Sequence, residues 1–193
     1  MDKVTVPFTR KSGKPKPFLN ETGLYDYAAR ALGRAMRSET ELRRLMRMRV
    51  EPGERGEAVI TAVIARLKEY GYLDDAAFAE TYTRLRQENE KLGQRSVRQK
   101  LAQKGVPAAI ANEAVEARYS NTDEEALARK HLEQKRIRKP ENEKETARVM
   151  RRLVAAGFST GIIYKILRKW DVPDEALSAL DNLNSEEQDG AVD

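Results

Sequence analysis

Two stretches of this chain superimpose at a constant offset of 52 residues: VRQKLAQKGVPAAIANEAV from Val97 and VMRRLVAAGFSTGIIYKIL from Val149. Val97, Leu101, Gly105, Ile110 and Val115 coincide with Val149, Leu153, Gly157, Ile162 and Leu167. A period of this length restricts the fold strongly, because a short supersecondary unit buries its apolar face against its neighbours rather than around one large core. Each copy reads as a helix, a glycine stop, a restart at Pro107 or Ser159, and a second helix. LRRLMRMRV fits the pattern more loosely, with Leu42 and Met46 at the Val97 and Leu101 positions. An insertion, EPGERG, then precedes a helix beginning near Glu57.

Apolar residues recur at helical spacing, as in Val59, Ile60, Val63, Ile64 and Leu67, and no strand pattern competes. Ser38–Glu41 (SETE), Ser96–Gln99 (SVRQ) and Thr122–Glu125 (TDEE) have the capping-box form, in which a hydroxyl and an acid or amide satisfy each other's helix-start N–H groups. Gly71, Gly105 and Gly157 close apolar runs where a left-handed residue is wanted. A further helix precedes each pair, near Leu24–Met36, Asp75–Glu90 and Asp123–Arg136. The expectation is an all-α, elongated tandem array of three three-helix, helix-turn-helix-like repeats, at 23–73, 74–120 and 121–172. Residues 1–22, with three prolines and five bases against two acids, read as a flexible basic arm, and residues 173–193 as an acidic tail.

Composition narrows the function. With 36 Lys and Arg against 31 Asp and Glu the chain carries +5, but residues 171–193 hold eight of the acids and no base, so residues 1–170 carry +13. Such a body suits an anionic partner. Cysteine is absent, which excludes disulfides, thiolate metal sites and cysteine nucleophiles and fits a reducing cytoplasm. No apolar run approaches the ~18 residues of a membrane span, and the N-terminus lacks a secretory apolar stretch. His131 stands alone among Lys130, Glu133 and Gln134 and reads as a solvated surface residue. Asp74 and Asp75 read as helix caps rather than as acid–base carboxylates. No phosphate-cradling glycine motif occurs. These features predict no enzyme, no metal and no cofactor.

GYLDDAAFA at residues 71–79 is a helix–helix joint: glycine stop, apolar connector, aspartate cap and Phe78. With SETELRRLM before it and the repeated L-x-x-x-G-x-x-x-x-I after it, the chain resembles the RecX family of bacterial recombinase regulators over about residues 24–172. That resemblance implies a protein that binds RecA filaments on single-stranded DNA, lies along the filament groove and inhibits ATP hydrolysis, strand exchange and coprotease action. It implies no catalysis. The chain departs from the family pattern in the first repeat, where RMRVEPGERG stands in place of a helix ending in Lys-Gly.

The candidate filament or nucleic-acid contacts are Arg43, Arg44, Arg47, Arg98, Lys100, Lys104, Arg148, Arg151, Arg152, Lys165, Arg168 and Lys169. Lys100 and Arg152 occupy one repeat position, and Arg44 and Arg151 the one before it. The bland reading is a solvated helical face with i,i+4 partners. It fits residues 42–50 least, where four arginines meet no carboxylate. Phe78, Tyr82, Phe158 and Tyr164 fall at core or joint spacing, whereas Trp170, beside Arg168 and Lys169, is a contact candidate. The acidic tail reads as a solubilising segment or as a polyanion mimic that folds back on the basic body.

The partners expected are the RecA nucleoprotein filament and single- or double-stranded DNA, with the chain a cytoplasmic monomer and no membrane involved. Two other classes stay open: a general helix-turn-helix DNA-binding module without recombinase specificity, and an interaction scaffold indifferent to nucleic acid. A sequence reader concentrates base-reading residues on one helix and often dimerises, whereas charge here is spread over three repeats.

Overall fold

The structure, a computed structural model, describes residues 17–172. These form nine helices and no strand: α1 Glu21–Arg34, α2 Glu39–Arg47, α3 Glu54–Glu69, α4 Asp75–Glu90, α5 Gln94–Gln103, α6 Ala108–Tyr119, α7 Glu124–Gln134, α8 Glu143–Ala155 and α9 Thr160–Lys169. The acidic segment 173–193 and the first sixteen residues lie outside the described residues. Of the stretch read as a basic arm, residues 17–22 are described, and Asn20 caps α1 through its side-chain oxygen, which accepts from Gly23 N at 2.9 Å.

Two compact bodies divide the chain. One holds the described residues up to Ala35 together with Leu42–Tyr72, and the other Met36–Glu41 with the described residues from Leu73 onward. In the first, α1 packs on α3, and Leu24 and Ala28 are buried, as are Leu42 and Met46 of α2 and Ile60, Val63, Ile64 and Leu67 of α3. In the second, α4, α5 and α6 pack on one another, and α7 and α8 pack on α9. One continuous apolar cluster runs there from Phe78 through Val97, Leu101 and Val115 to Val149, Leu153 and Leu167. The repeat positions Val97, Leu101 and Val115 are wholly buried, as are Leu153 and Leu167. Removing a side chain of this kind costs about 2–5 kcal/mol.

A backbone joint recurs at the repeat period. Leu19 N donates to Arg49 O at 2.7 Å, Ser38 Oγ to Lys104 O at 2.5 Å, and Gly93 N to Ala156 O at 2.8 Å. Arg49, Lys104 and Ala156 are equivalent positions, seven residues after Leu42, Val97 and Val149. In the last two cases a glycine with positive φ follows the acceptor: Gly105 at 74° and Gly157 at 90°. A Cβ on Gly105 would press into the Thr40 side chain, and one on Gly157 would strike the Ser96 backbone nitrogen. Val50 takes the glycine's place in the first repeat, where Leu19, just before the Asn20 cap, makes the approach.

Caps settle the helix starts, not always where the motifs suggest. SETE is a true capping box: Glu41 N donates to Ser38 Oγ at 3.1 Å and Ser38 N to Glu41 Oε2 at 3.4 Å. SVRQ is not, because Gly93, tied to Ala156, starts α5 at Gln94 and leaves Ser96 buried inside the helix. In TDEE the cap is Asp123, which accepts from Ala126 N at 3.0 Å. Thr122 is occupied elsewhere, donating to Arg118 O at 3.1 Å and accepting from Gln87 Nε2 at 2.9 Å. The adjacent aspartates divide their work, Asp74 accepting from Ala76 N and Ala77 N while Asp75 accepts from Glu39 N. The third helix starts at Glu54, three residues before its expected position, from Gly53 at φ 111°.

His131 corrects the sequence reading outright. It is 6% exposed, its ring edge lies against Phe158 with centroids 5.9 Å apart, and Nδ1 is 3.0 Å from Glu90 O. The isolated sequence window shows charged neighbours but not α4 or the Phe158 turn, which cover it. Burial, seconded by the Lys135 charge, holds the imidazole below its usual pKa. A neutral ring in the folded state and an ordinary one in the unfolded state mean that stability is lost as pH falls below about 6.5.

Two predictions follow from these contacts. Gly157→Ala, strained in φ and in collision with backbone, lowers unfolding free energy by roughly 2–4 kcal/mol. Gly71→Ala, with φ 71° but open space around it, costs only about 1 kcal/mol; urea unfolding followed by circular dichroism compares the two. Melting temperature falls between pH 7.5 and 5.5 in the native chain, and His131→Gln flattens that slope.

Candidate nucleic-acid interface

The twelve candidate cations separate by what holds them. Acids engage four. Arg47 Nε lies 2.6 Å from Glu57 Oε1, with Nη2 3.4 Å from Oε2, so α2 is clamped to α3 by a forked pair. Lys104 Nζ reaches Glu41 at 2.7 Å and stands 5.5 Å from the centre of the Tyr82 ring, half-buried at the Ser38 joint. Lys165 and Lys169 of α9 reach the two oxygens of Glu125 on α7 at 2.9 and 2.5 Å, and Arg129 joins at 2.7 Å. These cations push the Glu125 carboxyl down to about 2, through hydrogen bonds from Lys169 and then Lys165. The clamp therefore persists in its charged form at neutral pH and loosens only as pH falls toward 2.

Two others donate to neutral side chains, Arg43 to Thr61 Oγ1 at 3.3 Å, where it also feels the charge of Glu57, and Arg98 to Gln94 Oε1 at 3.2 Å. Arg168 is exposed in the last turn of α9. The remaining five, Arg44, Lys100, Arg148, Arg151 and Arg152, have no side-chain partner among the described residues.

Three of those five form one surface. Arg148, Arg151 and Arg152 stand at i, i+3 and i+4 on α8, all exposed, opposite the buried Thr146, Val149, Met150 and Leu153. Lys144, one turn earlier and also exposed, extends the same stripe. Sequence reasoning passed over it, although its i−4 spacing from Arg148 was the available signal. Glu145, the nearest acid, is turned toward its own helix start, where it accepts from Glu141 N at 2.9 Å. A stripe of unshielded guanidinium groups on a rigid helix is suited to phosphate oxygens, which they bind in pairs.

The aromatic expectations divide similarly. Phe78 and Phe158 are buried, and Tyr82 and Tyr164 pack against the same core. Trp170 is half-buried against the core and, with Ile166 and Leu132, lines a cavity of about 280 Å³ between α7 and α9. Among the described residues no cluster of His, Cys, Asp or Glu could hold a metal ion, and no helix is long and apolar enough to cross a membrane.

Residues 74–115, spanning α4 to the last turns of α6, match the family model described as RecX, second three-helix domain. Over that three-helix unit the chain is similar to RecX. Two solved structures share its fold. The crystal structure of RecX from Lactobacillus salivarius aligns with a TM-score of 0.62 at 21% identity, over 78% of this chain and 96% of that one. The crystal structure of regulatory protein RecX aligns with a TM-score of 0.64 at 21% identity, over 77% and 73% of the two chains. No curated protein matches the sequence significantly.

The α8 stripe and the Glu125 clamp make opposite predictions. Replacing Arg148, Arg151 and Arg152 together by alanine lowers single-stranded DNA affinity and reduces its salt slope by about 2, since each phosphate contact contributes about 0.7. Lys165→Ala with Lys169→Ala has a smaller effect. Glu125→Gln releases both lysines and raises affinity. Fluorescence anisotropy against a salt series checks all three.

Proposed function

We propose that this chain is a negative regulator of RecA that binds the RecA filament on single-stranded DNA and inhibits its ATP hydrolysis, strand exchange and coprotease action, modulating DNA repair and recombination. The observation that carries the reading is the unshielded arginine stripe of α8, in a chain whose residues 74–115 match the second three-helix domain of RecX. Three-helix repeats at 23–73, 74–120 and 121–172 would present Arg44 and Arg151 at one repeat position. Cations recurring at a repeat period suit a partner that is itself repetitive and anionic, as a nucleoprotein filament is. The joints carry no catalytic chemistry: their polar groups are backbone amides, hydroxyls and caps already satisfied by one another.

The test is ATP hydrolysis by RecA assembled on excess single-stranded DNA, with this protein added at sub-stoichiometric ratios and salt held constant. Hydrolysis falls steeply at low ratio, because one bound molecule obstructs many protomers. Inhibition that appears only as the protein approaches saturation of the DNA would replace this reading with a general helix-turn-helix DNA-binding module.

A further inference from the structure

The first body carries a polar and aromatic arrangement that neither the repeat packing nor the α8 stripe uses. Arg66 of α3 lies between two rings: its guanidinium carbon is 4.5 Å from the centre of Tyr25 on α1 and 5.8 Å from that of Tyr70, one turn further along. Both contacts place the cation over a ring, while its N–H donors have no acceptor among the described residues. Arg66 is exposed, and Tyr70 is 57% exposed. A core tyrosine would bury its ring, and a structural arginine would close on a carboxylate, as Arg47 does on Glu57 in the same body. This group does neither.

We propose that Tyr25, Arg66 and Tyr70 form a stacking site for unpaired nucleotides, with Tyr70 taking a base on its exposed ring and the Arg66 edge taking the adjoining phosphate. The chemistry selects this occupant. Every base has a π-face that an exposed tyrosine accepts without regard to sequence, and a guanidinium held beside aromatic rings with no acceptor of its own keeps its donor fork ready for phosphate oxygens. The setting is electropositive: residues 17–35 and 42–72 contain nine bases and six acids. A duplex would not offer its base faces, so the site distinguishes single from double strands, which a stripe of arginines alone does not. The inference rests on the nucleic-acid part of the proposed function and adds to it a contact with bases.

The experiment measures binding of the full chain to a labelled oligo-dT and to an equally long oligomer of abasic sites, at one salt concentration. The native chain binds oligo-dT more tightly. Tyr70→Leu weakens oligo-dT binding about fivefold, the low end of base–aromatic stacking, and leaves abasic binding unchanged, whereas Tyr70→Phe behaves as the native chain. Arg151→Ala weakens both oligomers alike, which shows that backbone contacts read out separately. Equal affinity of the native chain for the two oligomers, or equal loss for both in Tyr70→Leu, overturns the stacking site. Sub-stoichiometric inhibition of RecA by a Tyr70→Leu chain with unaltered oligo-dT binding overturns it too while sparing the regulator reading.

Discussion

A single hydrogen bond to the carbonyl just before a glycine turn organises the second body, and the rest of that body's packing depends on the approach it requires. Gly93 N can reach Ala156 O only because Gly157 has no Cβ where Ser96 lies. Ser38 Oγ reaches Lys104 O past Gly105 for the same reason. Once these approaches are made, the starts of α2 and α5 are tied to turns far along the chain, and Leu101, Leu153 and Phe158 are buried in the core of the second body. The glycines are therefore needed twice, for a left-handed turn and for space beside it.

The same anchoring explains why equally basic helices differ in what they offer. Side chains that face a neighbouring helix find acids placed to receive them: Glu57 for Arg47, Glu41 for Lys104, Glu125 for Lys165 and Lys169. Such pairs at the surface add little stability, since solvent screens them. Their effect is to hold cations in defined positions and to lower the charge presented outward. The outward face of α8 has no such acid within reach, so its three arginines stay available. Net charge alone would have treated all of these residues alike.

The aromatic residues show a parallel division. Those at core or joint spacing, Phe78 and Phe158, are consumed by the core. Tyr25 and Tyr70 instead flank a cation near the surface of the first body. A cation held over two rings with its N–H donors open is pre-organised for an anion, since less side-chain freedom remains to be lost on binding.

The amino-acid sequence by itself determined the helices, the three left-handed glycines, an aspartate cap at Asp74 or Asp75 and the repeat positions of the core. All of these follow from spacing or from the conformational limits of single residues. It also carried the family resemblance. Only tertiary structure decided matters that turn on partners distant along the chain. Ser96 lost its expected capping role because Gly93 is bonded to Ala156, and Thr122 because Gln87 and Arg118 engage it. His131 is buried because α4 and Phe158 close over it, although its own neighbours in sequence are charged. Which arginines are shielded, and that Tyr25 meets Arg66, depend on how helices are set side by side. Local periodicity reports which face of a helix is apolar, but not which residue of another helix that face or its rim will meet.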